Sequence, residues 1–322
     1  MRVDVIIPCH NAARYIADAL ESVMRQTHRD LAVVVVDDGS NDDTVRIARG
    51  FGARVTVLEQ ANKGPSAARN TALRVSRGEC VAFLDADDRW HPEKLARQVS
   101  HLRTRPECGL VHTAIRQIDA AGEPGGAAPN MPRRRATQGD CLAVLLERNA
   151  ITTSSVLLRR DVLGGDEFLA GLHHAEDWDL WLRLAARTRF GYIDEALTDY
   201  RVHDTNATRL EERMLAGMLT ALDRAIARTA DPALRRPAYG RRREIVAALA
   251  HTAYERDDID RARLFFRQAR PALDSLGWAR YVAVSLPAAV RRPARTCWRR
   301  LRGALTAWRG GARGGTPSAG CS

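Results

Sequence analysis

Three carboxylates fall within the four residues Asp85, Ala86, Asp87 and Asp88. Like charges so close repel one another, and a hard divalent cation among them relieves the repulsion. A turn that caps the next helix is the other reading these residues permit. A second acidic run, Asp37-Asp38-Gly39-Ser40-Asn41-Asp42, can accept hydrogen bonds from ribose hydroxyls or a base, or can cap a helix. Asn62-Lys63-Gly64-Pro65 leads into Arg69, whose guanidinium suits a phosphate near a helix start, although an ordinary surface arginine reads the same way. Glu176 and Asp177 open a run with Trp178, Trp181, Leu182 and Ala185 at core spacing. A carboxylate in that first turn faces the positive end of the helix dipole and is expected to stay ionised. No Gly-x-Gly-x-x-Gly and no Gly-Lys-Ser/Thr phosphate loop is present, so dinucleotide and P-loop readings lose their support.

The elements that must position these groups are legible as alternation. Apolar runs over residues 3–8, 31–36, 54–58 and 81–84 read as strands, separated by helical spacing over 12–26, 42–49 and 66–76. Continuous rather than alternating apolar strands between helices predict an α/β fold with a mainly parallel central sheet flanked by helices. Ligands bind such sheets at the carboxyl ends of the strands. Four of the polar clusters, beginning with Pro8-Cys9-His10-Asn11, directly follow a strand. Further on come a helix after Pro92, strands over 110–118, 155–159 and 190–193, helices over 141–147 and 176–186, and a Gly/Pro-rich loop over 120–139. From about residue 210 the spacing is helical only, with one helix-turn-helix of the tetratricopeptide type over 253–269, and residues 310–322 read as a disordered tail.

Taken in order, these motifs carry a resemblance. Val-Ile-Ile-Pro-x-x-Asn (5–11), Val-Asp-Asp-Gly-Ser-x-Asp (36–42), Asn-x-Gly-x-x-x-Ala-Arg-Asn (62–70), Gly-Glu-x-Val-Ala-Phe-Leu-Asp-Ala-Asp-Asp (78–88) and Glu-Asp-x-Asp-Leu-Trp-x-Arg (176–183) resemble the family 2 glycosyltransferases of the GT-A fold. The resemblance implies transfer of a sugar, with inversion, from a nucleoside diphosphate sugar, UDP- or dTDP-linked, to an acceptor hydroxyl in surface polysaccharide or glycolipid assembly. It implies that Pro8, Asn11, Asp37, Asp38, Lys63, Gly64, Arg69, Asp85 and Ala86 form the donor pocket, with Arg69 near the diphosphate. It makes Asp87, with Asp85, the ligands of Mg²⁺ or Mn²⁺, with His203 from Tyr200-Arg201-Val202-His203 near the metal or diphosphate. Asp177 becomes the general base, with Glu176 and His174 facing the acceptor, a glycan or lipid-linked sugar. The implied division is a catalytic domain over 1–208, a basic helical region over 209–309 and the tail.

Composition bounds these readings. The chain has 322 residues, 45% hydrophobic and 28% charged, enough for one large core or two smaller ones. Its net charge of +11 is uneven: residues 209–322 carry +13 and residues 1–208 carry −2. After Asp274 nine arginines follow and no acidic residue. Trp278, Tyr281, Val282, Val284, Leu286 and Val290 beside these arginines suggest apolar anchors on an anionic membrane surface, or else a solvated bundle. No apolar run reaches the ~20 residues of a membrane span. The six cysteines lack paired spacing and the start lacks a signal-peptide pattern, so the expected location is cytoplasmic, peripheral on the inner face of the membrane. No nucleic-acid partner is expected, since stacking aromatics are few. The competing reading is a non-enzymatic basic membrane- or nucleic-acid-binding protein on a GT-A-like scaffold, and a nucleotidyltransferase is disfavoured by the missing Gly-rich, Lys-containing start.

Overall fold

The computed structural model describes residues 1–125, 137–170, 172, 174–203, 211–270, 273 and 275–286. Two compact units divide the chain, Met1–Arg242 and Arg243–Ser322. The first is built on an eight-stranded sheet: β1 (Val3–Cys9), β2 (Leu31–Asp37), β3 (Val55–Glu59), β4 (Cys80–Phe83), β5 (Arg89–Trp90), β6 (Cys108–Ile118), β7 (Val156–Arg159) and β8 (Arg189–Arg201), in the order β3-β2-β1-β4-β7-β6-β8-β5. The β3-β2-β1-β4 half is parallel, as the continuous apolar runs predict. β7 then runs antiparallel between β4 and β6, β8 returns parallel to β6, and the two-residue β5 closes the edge against β8. The sheet is therefore mixed.

Every side chain of β1 is buried, which fits a strand covered on both faces. Burying each Val or Ile there contributes about 1.5–3 kcal/mol as an upper estimate. Helices α1 (Ile16–Met24), α2 (Thr44–Arg49), α3 (Pro65–Val75), α4 (Lys94–Thr104), α5 (Leu142–Glu147), α6 (Arg160–Leu163), α7 (Glu176–Ala185) and α8 (Glu211–Arg228) accompany the sheet. Trp178 and Trp181 lie fully in the core, as their spacing predicts: Trp178 Nε1 donates to the Leu145 carbonyl at 2.7 Å, and Trp181 meets Phe83 and Phe168 edge-on or tilted.

The last strand is longer than the apolar run at 190–193 predicts. β8 reaches Arg201 past the exposed Asp194 and Glu195 because register shifts against β6 absorb that polar stretch. Helix α8 lies within the first compact unit, Met1–Arg242. Its Arg224 and Arg228 close on the buried Asp179 of α7 at 3.2 and 3.5 Å. Helix α9 (Pro232–Glu255) runs through the division at Arg242. In the second unit, α10 (Ile259–Ala269) is capped by Asp258, whose side chain accepts from the Arg261 N–H, and α11 (Ser275–Ser285) follows. In this unit Ala250, Ala253, Ala262, Phe266 and Val284 form one apolar cluster, and Ile245, Val246, Leu249 and Ala269 are buried as well. The loop expected at 120–139 is described only at its ends, and the residues from 287 on, with the expected tail, lie outside the described residues.

Candidate active site

The parallel pairing aligns the carboxyl ends of β1, β2 and β4: Cys9 lies opposite Asp37, and Ile6 opposite Phe83. The polar clusters that leave these ends therefore meet along one edge of the sheet. Asp38 sits at the centre of the β2 exit. Its Oδ1 accepts from the Lys63 N–H at 2.9 Å and from Gln60 Nε2 at 2.7 Å, and its Oδ2 accepts from the Gly64 N–H at 2.7 Å. Gly64 can offer that N–H because it adopts a φ of +87°, a left-handed value that a side chain would penalise. Pro65 then starts α3 directly. Asp37 is committed to its own turn, accepting from the Ser40 N–H and hydroxyl. Asn11, also left-handed at φ +49°, accepts from the Asn41 N–H and donates its own N–H to Ser40 Oγ, both at 2.8 Å. Pro8 is buried in β1 beside this network, and Ala86 is buried in the β4 exit.

Arg69 joins the two halves of the site. Its side chain is 5% exposed, donates to Asp85 Oδ1 and Glu176 Oε1 at 2.7 Å each, and lies over the Phe168 ring. Burial works against its charge, but the two carboxylates outweigh burial and hold the guanidinium protonated. This corrects two expectations. With both terminal nitrogens spent on carboxylates, Arg69 is a brace between the β4 exit and the start of α7 rather than an open diphosphate ligand. Glu176, expected toward the acceptor, is buried as its counter-ion.

Asp87 Oδ2 lies 3.0 Å from His203 Nε2, and the imidazole stacks on Tyr15 at 4.9 Å. Burial and Asp85 raise the Asp87 pKa, while His203 opposes the rise. Asp88 caps no helix: it is fully buried, its Oδ1 accepts from the Arg201 N–H at 2.9 Å, and burial followed by Asp87 and Asp85 raises its pKa well above the ordinary value. The Arg201 side chain, also buried, donates from Nε to the Asp87 carbonyl at 2.7 Å and from its terminal nitrogen to Asp18 at 2.9 Å, with Tyr15 against its face.

Asp177 receives Asn149 Nδ2 at 3.1 Å on Oδ1 and the Thr153 hydroxyl at 2.9 Å on Oδ2. Burial and the adjacent Glu176 push its pKa up to about 7, against the pull of Thr153 and Arg69. The helix end therefore does not dominate, contrary to the expectation from position alone. His174 is half-buried with φ +66° just before α7, and its neighbour His173 lies outside the described residues. The motif reading did not single out Asn149, Thr153, Ser154 or Arg201. Ser154 Oγ accepts from the Asp85 N–H at 3.0 Å, and only the run Thr152-Thr153-Ser154-Ser155 ahead of an apolar strand hinted at this support.

Residues 4–162 match the family Glycosyl transferase family 2. The putative teichuronic acid biosynthesis glycosyltransferase TuaG of Bacillus subtilis is 31% identical over 207 residues, which span 62% of this chain and 79% of TuaG. The chain belongs to the family 2 glycosyltransferases. Other relatives are longer: the Escherichia coli chondroitin synthase is 29% identical over 215 residues, 64% of this chain but 30% of the synthase. The fold of this transferase is shared with S. aureus TarS 1-349, at a TM-score of 0.64 and 19% identity over 92% of both chains. It is also shared with the mannosyltransferase PcManGT from Pyrobaculum calidifontis, solved with GDP-Man and Mn²⁺, at a TM-score of 0.60 and 21% identity over 92% of this chain and 82% of that one.

Proposed function

We propose that the protein is an inverting, metal-assisted glycosyltransferase that moves a sugar from a UDP- or dTDP-sugar to an acceptor hydroxyl in cell-surface polysaccharide or glycolipid assembly. The observation that carries this reading is the buried Arg69 brace, which locks the Asp85-Ala86-Asp87 exit to the helix bearing Asp177. One end of that brace holds the donor-side Asp85 and the other holds Glu176, whose neighbour Asp177 has its pKa pushed up to about 7. TarS with UDP-GlcNAc, the mannosyltransferase with GDP-Man and Mn²⁺, and the polysaccharide assignments of TuaG and the chondroitin synthase support it.

The residues fit a hard cation. Asp87 Oδ2 and His203 Nε2 converge at 3.0 Å with Asp85 close by, an oxygen-rich set with one imidazole that suits Mg²⁺ or Mn²⁺. Among the described residues no group of three His, Cys, Asp or Glu could hold a metal ion, so Asp87 and His203 would hold it together with diphosphate oxygens and water. When bound, the cation supplies electrostatic stabilisation of the departing diphosphate. The protein's own residues do the rest. Asn11, Asp38 and the 62–64 segment line the donor's nucleotide end, and Asp38 serves by fixing that segment. Asp177, oriented by Asn149 and Thr153, takes the acceptor proton as the acceptor oxygen bonds the anomeric carbon and the diphosphate leaves with its electron pair from the opposite face.

Calorimetric titration of UDP, dTDP and GDP, each with and without Mn²⁺, tests the donor site. Binding of one nucleotide that depends on metal and is lost in Asp87→Ala is expected. A folded wild-type protein that binds none of the three overturns the reading.

A further inference from the structure

Helix α11 presents two different faces. Gly277 and Val284 are buried, and Val284 packs with Ala250, Ala253, Ala262 and Phe266. The inward Arg280 is satisfied by Glu255 at 3.1 Å and by His251 at 2.8 Å. On the other side Trp278 and Val282, four residues apart and hence on one face, are 39% and 54% exposed, with Leu276 at 38% on the flank. No charged side chain of α11 shares that face. Arg270, which follows α10, places its guanidinium 5.4 Å from the Trp278 ring centroid and 5.5 Å from that of Tyr281, and Arg267 one turn earlier is also exposed.

We infer that this face of α11, with Arg270 at its border, is a docking surface for an anionic lipid bilayer. Trp278 and Val282 insert among the headgroups and acyl boundary, while Arg270 meets lipid phosphates. Charge selects this occupant. Residues 243–322 carry +9 of the chain's +11, and none of the residues after Asp274 is acidic. A positive field of that size draws the unit to a negative surface within a Debye length. Base stacking on nucleic acid would use flat aromatic or guanidinium faces, whereas Val282 and Leu276 offer aliphatic ones. No helix among the described residues is long and apolar enough to cross a membrane, so the contact is interfacial. The surface lies outside the residues assigned to sugar transfer and stands whether or not that assignment does.

The test is cosedimentation of the full chain with phosphatidylcholine vesicles with and without phosphatidylglycerol, together with quenching of tryptophan emission by brominated acyl chains. Binding to the anionic vesicles alone is expected. It should weaken as salt rises from about 0.1 M to about 1 M, over which the Debye length falls from about 10 to about 3 Å. W278E/V282E should lose at least about tenfold in partitioning while nucleotide binding is unchanged. W278F, which keeps the fold, should lose the brominated-lipid quenching. Equal binding by W278E/V282E, or undiminished quenching in W278F, overturns the inference. So does a dimer that buries Trp278 and ignores vesicles, which would assign the face to a second copy of the chain. Failure here with intact, metal-dependent nucleotide binding would leave the transferase reading in place, and the reverse result would separate the two the other way.

Discussion

At Asp177 the local charges decide the chemistry more than the helix end does. Its pKa of about 7 is produced by burial and by Glu176, and Arg69 and Thr153 restrain it. A base raised in this way is protonated and inactive below its pKa, so kcat/KM for transfer should climb through about pH 7 and level off above it. Glu176→Gln removes the like charge but retains an acceptor for Arg69, so the acid limb of that profile should move to lower pH. An unchanged limb would show that Glu176 does not act on the base. Asp177→Asn should lower kcat by about 10²–10⁴ and leave the donor's Kd unchanged, measured by calorimetry beside steady-state kinetics. Arg69 is a positioning residue with a structural cost attached. Arg69→Met strands the buried Glu176 carboxylate, and a loss of about 3–5 kcal/mol is expected in urea unfolding, because breaking a buried pair leaves an uncompensated charge.

Among the elements, α7 matters most because it carries Asp177, the proposed base, and it is held from three sides. Arg183 pairs with Asp179 at 3.0 Å and with Asp166, Arg224 and Arg228 reach Asp179 from α8, and the Trp178 and Trp181 rings fill the core beneath. Asp179→Ala should therefore lower kcat by shifting the start of α7 while KM for the donor stays near wild type, and it should lower Tm. A parallel rise in KM would place its effect on the donor side instead. Only part of this design is legible in the sequence. Seven of the eight strands are legible as apolar runs, and the clusters behind the first four because strand ends must be polar where ligands sit. β5 was not, since two residues make no pattern and Arg89 and Trp90 pair only through β8. The antiparallel course of β7 leaves no trace in its composition. The side-chain types at Arg69 and Glu176 mark them as charged, but spacing does not reveal that they pair with each other across 107 positions. Asn149 and Thr153 escaped because a support for a catalytic group needs only a hydroxyl or an amide, and such residues are common in any loop.

On the scale of the whole molecule, the two compact units have cores of unequal size. The first buries apolar side chains from Val3 to Ala238, whereas the second, among its described residues, buries Ile245, Val246, Leu249, Phe266, Val284 and four alanines. Far fewer large apolar side chains are buried there, so the second unit should have the smaller opening free energy. Amide exchange read by mass spectrometry should accordingly be faster in α10 and α11 than in β1, β2 and β4. Ligand linkage sharpens the test, because every candidate donor-site residue lies before Arg242. Nucleotide with Mn²⁺ at 100 times its Kd adds about 2.7 kcal/mol to whatever binds it and nothing to a unit that does not. Protection should therefore increase around β1, β2, β4 and the start of α7 while α10 and α11 exchange as before. Equal protection in α10 and α11 would mean that the 24-residue α9, which runs through the division, transmits the binding energy and that the two units unfold as one.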